Sequence, residues 1–481
     1  MLTLSEYRSL DAMALALGVR NRDFTNEEVT TCAIEQAEKV NPILNAINIE
    51  CYDSALDQAR LFDTNPELLK QSQVAGLPFL IKDLAAVKGL PTTSGSRLYK
   101  DYLPLHNSNI VQTYLNAGLV VLGKTNTPEC GLTLTTEPIA NGVTRNPWNI
   151  KYSTGGSSGG AGAAVAGAIS PTAHATDGGG SIRIPASCCG LFGLKPSRGL
   201  TVIENNFSGS WGGLSAGHVL SQTVRDSAAF LDLIALDAPN LFALPDKPTS
   251  FLESLDQPRP KLRIGVQLEH PMDQHIDKNC VRAVTDAAML CESLGHSLEE
   301  ISHPIEYRPV VQAMTKIINL YVHNTLSSRL EELNLELDEA PLEASTRIMA
   351  TLGQSLKASE YLGALDLIKE AERQMAKFHQ RYDIVLSPVL SKPPVKIGWL
   401  DMNSHDQKEY VNRFRQYSGF TAIYNGTGQP SMSVPLHQTK ANLPVGVMFT
   451  AAWGMDLQLL QLAKQLETAQ PWRRIAQLAS E

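Results

Sequence analysis

The stretch "GGSSGGAGAAVAGAISPTAHATDGGGSIRIP", residues 155–185, places two clusters of glycine and serine around a run of small apolar residues. Consecutive glycines are entropically costly to order, so a folded chain needs a reason to keep them. The wider tract, residues 141–217, is rich in Gly, Ser and Thr, a composition that would also suit a linker. Its apolar segments "AAVAGAI" and "CGLFGL" suggest packing instead and predict that the tract belongs to a folded core.

Strand and helix patterns alternate along the rest of the chain. Helical spacing predicts helices over residues 1–70, one of them capped by Thr25, and further helices ended by Gly118 and Gly295. Short apolar runs predict strands at "LPFLIKDLA", "LVVLGKTN", "KLRIGVQ" and "YDIVLSPV". This alternation indicates an α/β fold.

The length alone allows several domains, since a domain has about 150 residues on average. The segment "DQPRPK" offers a boundary near residue 258. Strand patterns continue on both sides of that segment, so we expect one large domain over residues 1–481.

Composition excludes several classes of function. The formal net charge is −8 and no basic cluster occurs, so we expect no nucleic-acid partner. Acidic Glu6 and Asp11 stand where a signal peptide would be basic, and no apolar run approaches the roughly 20 residues of a membrane helix. The seven cysteines form no C-x-x-C pair, which predicts reduced thiols in the cytoplasm. We expect no metal site, and His270 and His275 are interpreted as surface residues.

Two short motifs match known patterns but fail in context. Residues 118–125, "GLVVLGKT", fit a phosphate-binding loop, yet the four middle residues favour a strand and Pro128 stands where a helix should follow. Residues 155–159, "GGSSG", fit the G-x-S-x-G nucleophile elbow, but the polar "NPWNIKYST" precedes them instead of an apolar strand.

The glycine run offers the parts of an acyl-transfer site. Backbone N–H groups without Cβ atoms can approach a substrate closely and stabilise a developing oxyanion. Here they would come from Gly178, Gly179, Gly180 and Ser181, with Ser181 placed to be the nucleophile. The alternative is a glycine turn that ends in an ordinary serine.

A serine nucleophile also needs a base. Lys82 follows the apolar run "LPFLI", and burial there would lower its pKa until the neutral amine can accept a proton. Ser157 or Ser158 could bridge Lys82 to the nucleophile. The alternative is a strand-end lysine that reaches solvent.

These residues together resemble the amidase signature family. The 45 residues from "GGSSGG" to "KPSRG" are similar to its defining segment, and "GLPFLIKD", "GKTNTPE", "RNPWN" and "YDIVLSPV" are similar to flanking blocks. The resemblance implies a single large fold with a mixed β-sheet core flanked by helices on both faces. Its signature core would cover about residues 75–200.

The resemblance also implies a Ser–cis-Ser–Lys triad. Ser181 matches the nucleophile, Ser157 the bridging serine after a cis peptide, and Lys82 the base. The oxyanion-hole backbone falls on residues 178–181. Ser158 would support the loop, while Asp177 and Arg183 would pair and hold it in place, unless Arg183 binds a substrate carboxylate. Gly178 is a departure, since the family more often has a bulkier residue there.

The implied reaction is hydrolysis of a small carboxylic acid amide through an acyl-enzyme, without cofactor or metal. The wording "DGGGSIRIPAS" is most similar to stand-alone bacterial amidases, which include 6-aminohexanoate cyclic dimer hydrolases and aryl acylamidases. The resemblance is compatible with a homodimer of this chain. The alternatives are an A subunit of a tRNA-dependent amidotransferase, which passes ammonia to a partner, and a catalytically silent interaction protein.

Overall fold

A mixed sheet of eight strands forms the centre of the protein, counted over the residues that the structure describes. That structure is a computed structural model and describes residues 1–202, 209–238, 241–257 and 260–477. Two smaller sheets, of three strands and of two, lie beside the large one. The strands are β1 Ile47–Glu50, β2 Pro78–Lys82, β3 Val120–Thr125, β4 Arg145–Asn146, β5 Asn149–Ser153, β6 Thr172–Asp177, β7 Phe192–Lys195, β8 Ala216–Ser221, β9 Arg263–Val266, β10 Ser297–Glu300, β11 Ile384–Pro388, β12 Ser431–Gln438 and β13 Pro444–Ala451.

The large sheet has the strand order β10-β9-β11-β13-β12-β7-β8-β6. Strands β10, β9 and β11 are parallel to one another, and every later neighbour is antiparallel. Helices flank the sheets, which confirms the expected α/β class and mixed core. They are α1 Leu4–Ser9, α2 Ala12–Asn21, α3 Asn26–Leu44, α4 Tyr52–Thr64, α5 Asn109–Asn116, α6 Gly159–Ala166, α7 Arg183–Cys189, α8 Gly209–Gly212, α9 Val224–Ile234, α10 Lys278–Ser293, α11 Tyr307–Leu333, α12 Ala344–Gln354, α13 Ala358–Phe378, α14 Gln407–Tyr417, α15 Ile423–Gly426 and α16 Asp456–Ala469.

The small sheet of β1, β3 and β2 supports one end of the site. Strands β2 and β3 are buried along their whole length, as continuous apolar runs predict, and they pair in parallel. Strand β1 pairs antiparallel with β3 inside the region expected to be helical, so that expectation is wrong at residues 47–50. The Thr25 cap is confirmed: its hydroxyl accepts from the Glu28 N–H in a capping box.

The rejected phosphate-loop match is strand β3 and the residues just before it. Lys124, the lysine of that match, is fully buried and its Nζ lies 2.7 Å from Asp83 Oδ1. A buried, paired ammonium cannot bind a nucleotide phosphate, so the structure agrees with that rejection.

His270 corrects one expectation about the surface. His275 is exposed, but His270 is buried, with its Nε2 2.7 Å from the Ser418 carbonyl oxygen and its ring 5.1 Å from the ring of Phe420. The chain around residue 419 covers the imidazole, a long-range contact that local sequence does not reveal. In the described part of the chain, no group of three or more His, Cys, Asp or Glu could hold a metal ion.

No helix of the described ranges is long and apolar enough to cross a membrane. The candidate domain boundary near residue 258 falls on residues 258 and 259, which lie outside the described residues. The expected single domain therefore stays a prediction.

Candidate active site

Lys82 is the last residue of β2, and its side chain is fully buried. Its Nζ donates to Ser157 Oγ at 2.8 Å and to Thr176 Oγ1 at 2.9 Å. The apolar strand therefore ends in a lysine whose amine is hydrogen-bonded to one of the two serines of the "GGSSGG" cluster. The alternative of a lysine that reaches solvent is excluded by this position.

Burial lowers the pKa of Lys82 to about 7, although the negative charge of Asp177 acts in the opposite direction. A substantial part of the lysine is then neutral near pH 7, which is the form that can accept a proton. His174 does not compete as the base, because burial, followed by the charge of Lys82, lowers its pKa to about 3. Its Nδ1 accepts the Lys82 backbone N–H at 3.3 Å.

Ser157 follows a cis peptide bond from Gly156, as the resemblance implied. Its carbonyl oxygen accepts from Thr127 Oγ1 at 3.0 Å, and its side chain is 2 % exposed. Gly131 packs against it with a positive φ of 70°, and a Cβ there would lie 3.2 Å from Ser157 Oγ. The hydroxyl is thus held on Lys82 by a closely fitted backbone.

Ser158 has a different set of partners. Its Oγ donates to the Thr176 carbonyl oxygen at 3.3 Å and accepts from the Thr176 N–H at 3.4 Å. These bonds fasten the start of α6 to strand β6 and leave Lys82 to Ser157. The two adjacent serines are therefore separated by their contacts.

The glycine run connects β6, which ends at Asp177, to α7, which begins at Arg183. The Gly180 N–H donates to Asp177 Oδ1 at 2.7 Å, and Gly180 has a φ of 137° that a side chain would strain. Among the described residues, no acceptor is found for the N–H groups of Gly178, Gly179 and Ser181. Gly179 and Ser181 are also partly exposed, so N–H donors and a serine hydroxyl meet at one accessible place.

Asp177 and Arg183 form a fully buried ion pair behind the glycine run. Arg183 Nε and Nη2 each lie 2.9 Å from an oxygen of the Asp177 carboxylate. Burial alone would raise the pKa of Asp177, but Arg183 outweighs it and the pKa lies below its usual range. The carboxylate thus stays ionised and fixes the loop.

Two residues far along the chain complete this network. Thr421 accepts from Arg183 Nη1 through its carbonyl oxygen at 2.9 Å and donates its hydroxyl to the Gly179 carbonyl oxygen at 2.6 Å. Asn425 Oδ1 accepts from Arg183 Nη2 at 2.7 Å, and its Nδ2 donates to the Asp177 carbonyl oxygen at 2.8 Å. The guanidinium is occupied inside the protein, so a substrate carboxylate has no access to it.

Sequence reasoning missed Thr176, Thr127, Thr421 and Asn425. The first of these had a usable signal. Alternation places Thr176 on the same face of β6 as His174, and β6 packs beside β2. If "TAHATD" had been recognised as a strand, Thr176 would have been placed near Lys82. Thr127 lies in "GKTNTPE", but nothing in that block indicates its bond to the Ser157 carbonyl oxygen. Thr421 and Asn425 lie more than 200 residues from Arg183 and belong to no motif.

Comparison with known proteins agrees with this geometry. Residues 28–460 match the Amidase family. The 6-aminohexanoate-cyclic-dimer hydrolase of Paenarthrobacter ureafaciens is 33% identical over 484 residues, which cover 96% of this chain and 95% of that protein.

Two solved structures have a similar fold over nearly the whole chain. A 6-aminohexanoate cyclic dimer hydrolase superposes with a TM-score of 0.90 at 31% identity and covers 100% of both chains. A bacterial aryl acylamidase superposes with a TM-score of 0.85 at 26% identity and covers 96% of each. With a buried lysine on a serine and a run of N–H donors beside a second serine, the chain belongs to the amidase signature family and is an amidase.

Proposed function

We propose that the chain hydrolyses small carboxylic acid amides with Ser181 as nucleophile, Ser157 as proton relay and Lys82 as base. The observation that carries the proposal is the 2.8 Å contact between Lys82 Nζ and Ser157 Oγ, at a lysine whose pKa burial lowers to about 7. At that distance the neutral amine can accept the serine proton instead of donating its own.

The acylation step follows from these positions. Ser181 Oγ bonds to the amide carbon as its proton passes to Ser157, whose own proton passes to Lys82. The carbonyl electron pair moves onto oxygen and forms a tetrahedral oxyanion. The C–N bond then breaks, and the proton returns from Lys82 through Ser157 to the leaving nitrogen.

Deacylation uses the same relay with water. Water attacks the acyl carbon as its proton passes through Ser157 to Lys82. The bond to Ser181 Oγ breaks, and the serine recovers a proton by the reverse route. The products are a carboxylic acid and ammonia or an amine, and the enzyme returns to its starting state.

Fewer N–H groups are available to an oxyanion than the four of residues 178–181. The Gly180 N–H already donates to Asp177, so the N–H groups of Gly178, Gly179 and Ser181 are the donors we assign to the oxyanion. Each such donor contributes about 3–4 kcal/mol in acyl-transfer enzymes. Gly180 instead fixes the loop, together with Asp177 and Arg183.

We infer that the chain acts alone in the cytoplasm. All seven cysteines are free, which suits a reducing compartment. Within the described ranges each member of the proposed triad is present in one chain, so we expect hydrolysis without a second subunit. A homodimer is compatible with this proposal, and size-exclusion chromatography with light scattering tests it.

The test measures release of ammonia and amines from aliphatic, aryl and cyclic amides. It compares the purified wild-type chain with the Ser181→Ala variant. We expect loss of turnover with an unchanged urea unfolding curve. Ser187→Ala is the matched control, because that hydroxyl lies on α7 and accepts from the Gly446 N–H at 2.8 Å. Near-normal turnover in Ser181→Ala would refute the nucleophile. Activity that requires a co-purifying subunit would favour the amidotransferase alternative.

A further inference from the structure

The indole of Trp211 lies directly against the first glycine of the run. An ideal Cβ on Gly178 would lie 2.6 Å from Trp211 Cζ3 and 2.7 Å from its Cε3. Gly178 does not have a positive φ, so its backbone would accept a side chain. The indole alone therefore requires a glycine at this position, and a bulkier residue at 178 and Trp211 exclude each other.

The backbone around Trp211 holds the indole in place. Trp211 itself has a φ of 56°, an unusual conformation for a bulky residue and one that persists only where the surroundings impose it. A Cβ on the next residue, Gly212, would lie 3.2 Å from Cε2 of Tyr321 on α11. The backbone that carries the indole is thus held between the glycine run and a long helix.

The space beside the next glycine is open. A Cβ on Gly179 would meet only the methyl group of Ala422, at 4.0 Å. Trp211 and Ala422 are both partly buried at the edge of the same apolar cluster. An indole and a methyl group therefore lie on the Cβ sides of Gly178 and Gly179, next to the residues that carry the proposed oxyanion donors.

The charged groups described above are buried in the protein interior. The Asp177–Arg183 pair behind the run is fully buried and closed on itself. Lys82 is also fully buried, with its Nζ turned to Ser157 and Thr176. Neither the ion pair nor the lysine therefore offers a charge to a group bound beside the glycine run.

We propose that Trp211, given room by Gly178, is the wall of the acyl-binding site and selects amides with apolar, uncharged acyl chains longer than acetyl. This inference rests on the proposed function and names its substrate class. It assigns Trp211 a role in specificity through contact with the acyl chain, and it assigns Gly178 the role of making space for the indole.

The test compares kcat/KM for ammonia release from acetamide, hexanamide and 3-phenylpropionamide. For Trp211→Ala we expect a loss of about 10- to 100-fold with the two larger amides, the factor for one large apolar contact. With acetamide we expect a change within about 3-fold, because its methyl group is too short to cover the indole. Trp472→Ala is the matched control, since that indole is partly buried in the other large core and donates to the Gln222 carbonyl oxygen at 3.0 Å.

A second variant tests the pairing with Gly178. Gly178→Ala should lower kcat/KM for hexanamide more in the wild type than in a Trp211→Ala background, where the new methyl group has room. Equal losses on all three amides in Trp211→Ala, or an equal effect of Gly178→Ala in both backgrounds, would overturn the proposal.

A binding measurement separates this proposal from the proposed function. If the wild type released ammonia from none of the amides, hydrolysis by the proposed triad would fail. Calorimetric measurement of hexanoate binding and of acetate binding would then test on its own whether Trp211 contacts the acyl chain. A preference for hexanoate that is lost in Trp211→Ala supports the wall, and no preference in the wild type refutes it.

Discussion

Replacing the two adjacent serines one at a time gives the sharpest test of the proposed relay. In Ser157→Ala, Lys82 loses the hydroxyl that lies 2.8 Å from its Nζ, and the path to Ser181 is broken. In the proposed mechanism that path serves both nucleophile activation and protonation of the leaving nitrogen. General acid–base steps are typically worth about 100- to 10,000-fold each, so we expect kcat to fall by at least about 1,000-fold.

Ser158→Ala is the matched control because it removes the same atom one residue away. The change deletes two longer hydrogen bonds to Thr176, at 3.3 and 3.4 Å, and leaves the contact of Lys82 intact. We expect a loss of stability of about 1–3 kcal/mol, the usual range when buried backbone groups lose a partner. The fall in kcat should stay within about 10-fold, since no proton step passes through Ser158.

The assay pairs single-turnover and steady-state amide hydrolysis with urea unfolding of each variant. Ser157→Ala should unfold like the wild type, whereas Ser158→Ala should be less stable and still active. The double variant Ser157→Ala/Ser181→Ala should be little worse than Ser181→Ala alone, because residues that act as a unit are not additive. Similar, mild losses in both single variants would refute the relay and reduce the loop to a structural role.

Three further predictions concern charge and metal. The kcat/KM should rise with pH through an apparent pKa near 7, because only neutral Lys82 accepts a proton; a flat profile would contradict this. Asp177→Asn should move that limb to lower pH, since the Asp177 charge raises the pKa of Lys82. It should also cost about 3–5 kcal/mol in urea unfolding by leaving buried Arg183 unpaired, and Asp177→Asn/Arg183→Met should recover part of that loss. Dialysis against a chelator should leave turnover unchanged; loss of activity that zinc restores would contradict the expectation that no metal is needed.

The local signals of the chain were enough to predict the parts of the site that lie on strong strands. "LPFLIKD" has an apolar run followed by one charged residue, and this pattern places Lys82 at the buried end of β2. The glycine run and the serine cluster are equally visible, because their composition is rare in a packed segment. The α/β class follows from the same alternation of patterns.

Strand β6 was missed because its sequence, "TAHATD", has little strand propensity and no apolar run. Its conformation comes from pairing with β8 and packing beside β2, which are both tertiary effects. Asn425 was missed for a related reason. Its partner Asp177 lies 248 residues away, and a single asparagine has no local pattern that would indicate such a contact.

The bonds that Thr421 makes to Gly179 and that Asn425 makes to Asp177 and Arg183 can form only late in synthesis of the chain. Lys82, Ser157 and Ser181 leave the ribosome early, while the side chain that clamps Asp177 and Arg183 is made more than two hundred residues later. A nascent chain therefore carries Ser181, the proposed nucleophile, without the side chain that holds the loop around it. We therefore expect a truncated chain that ends before residue 421 to lack hydrolase activity, because its glycine run has no bonds from Thr421 or Asn425.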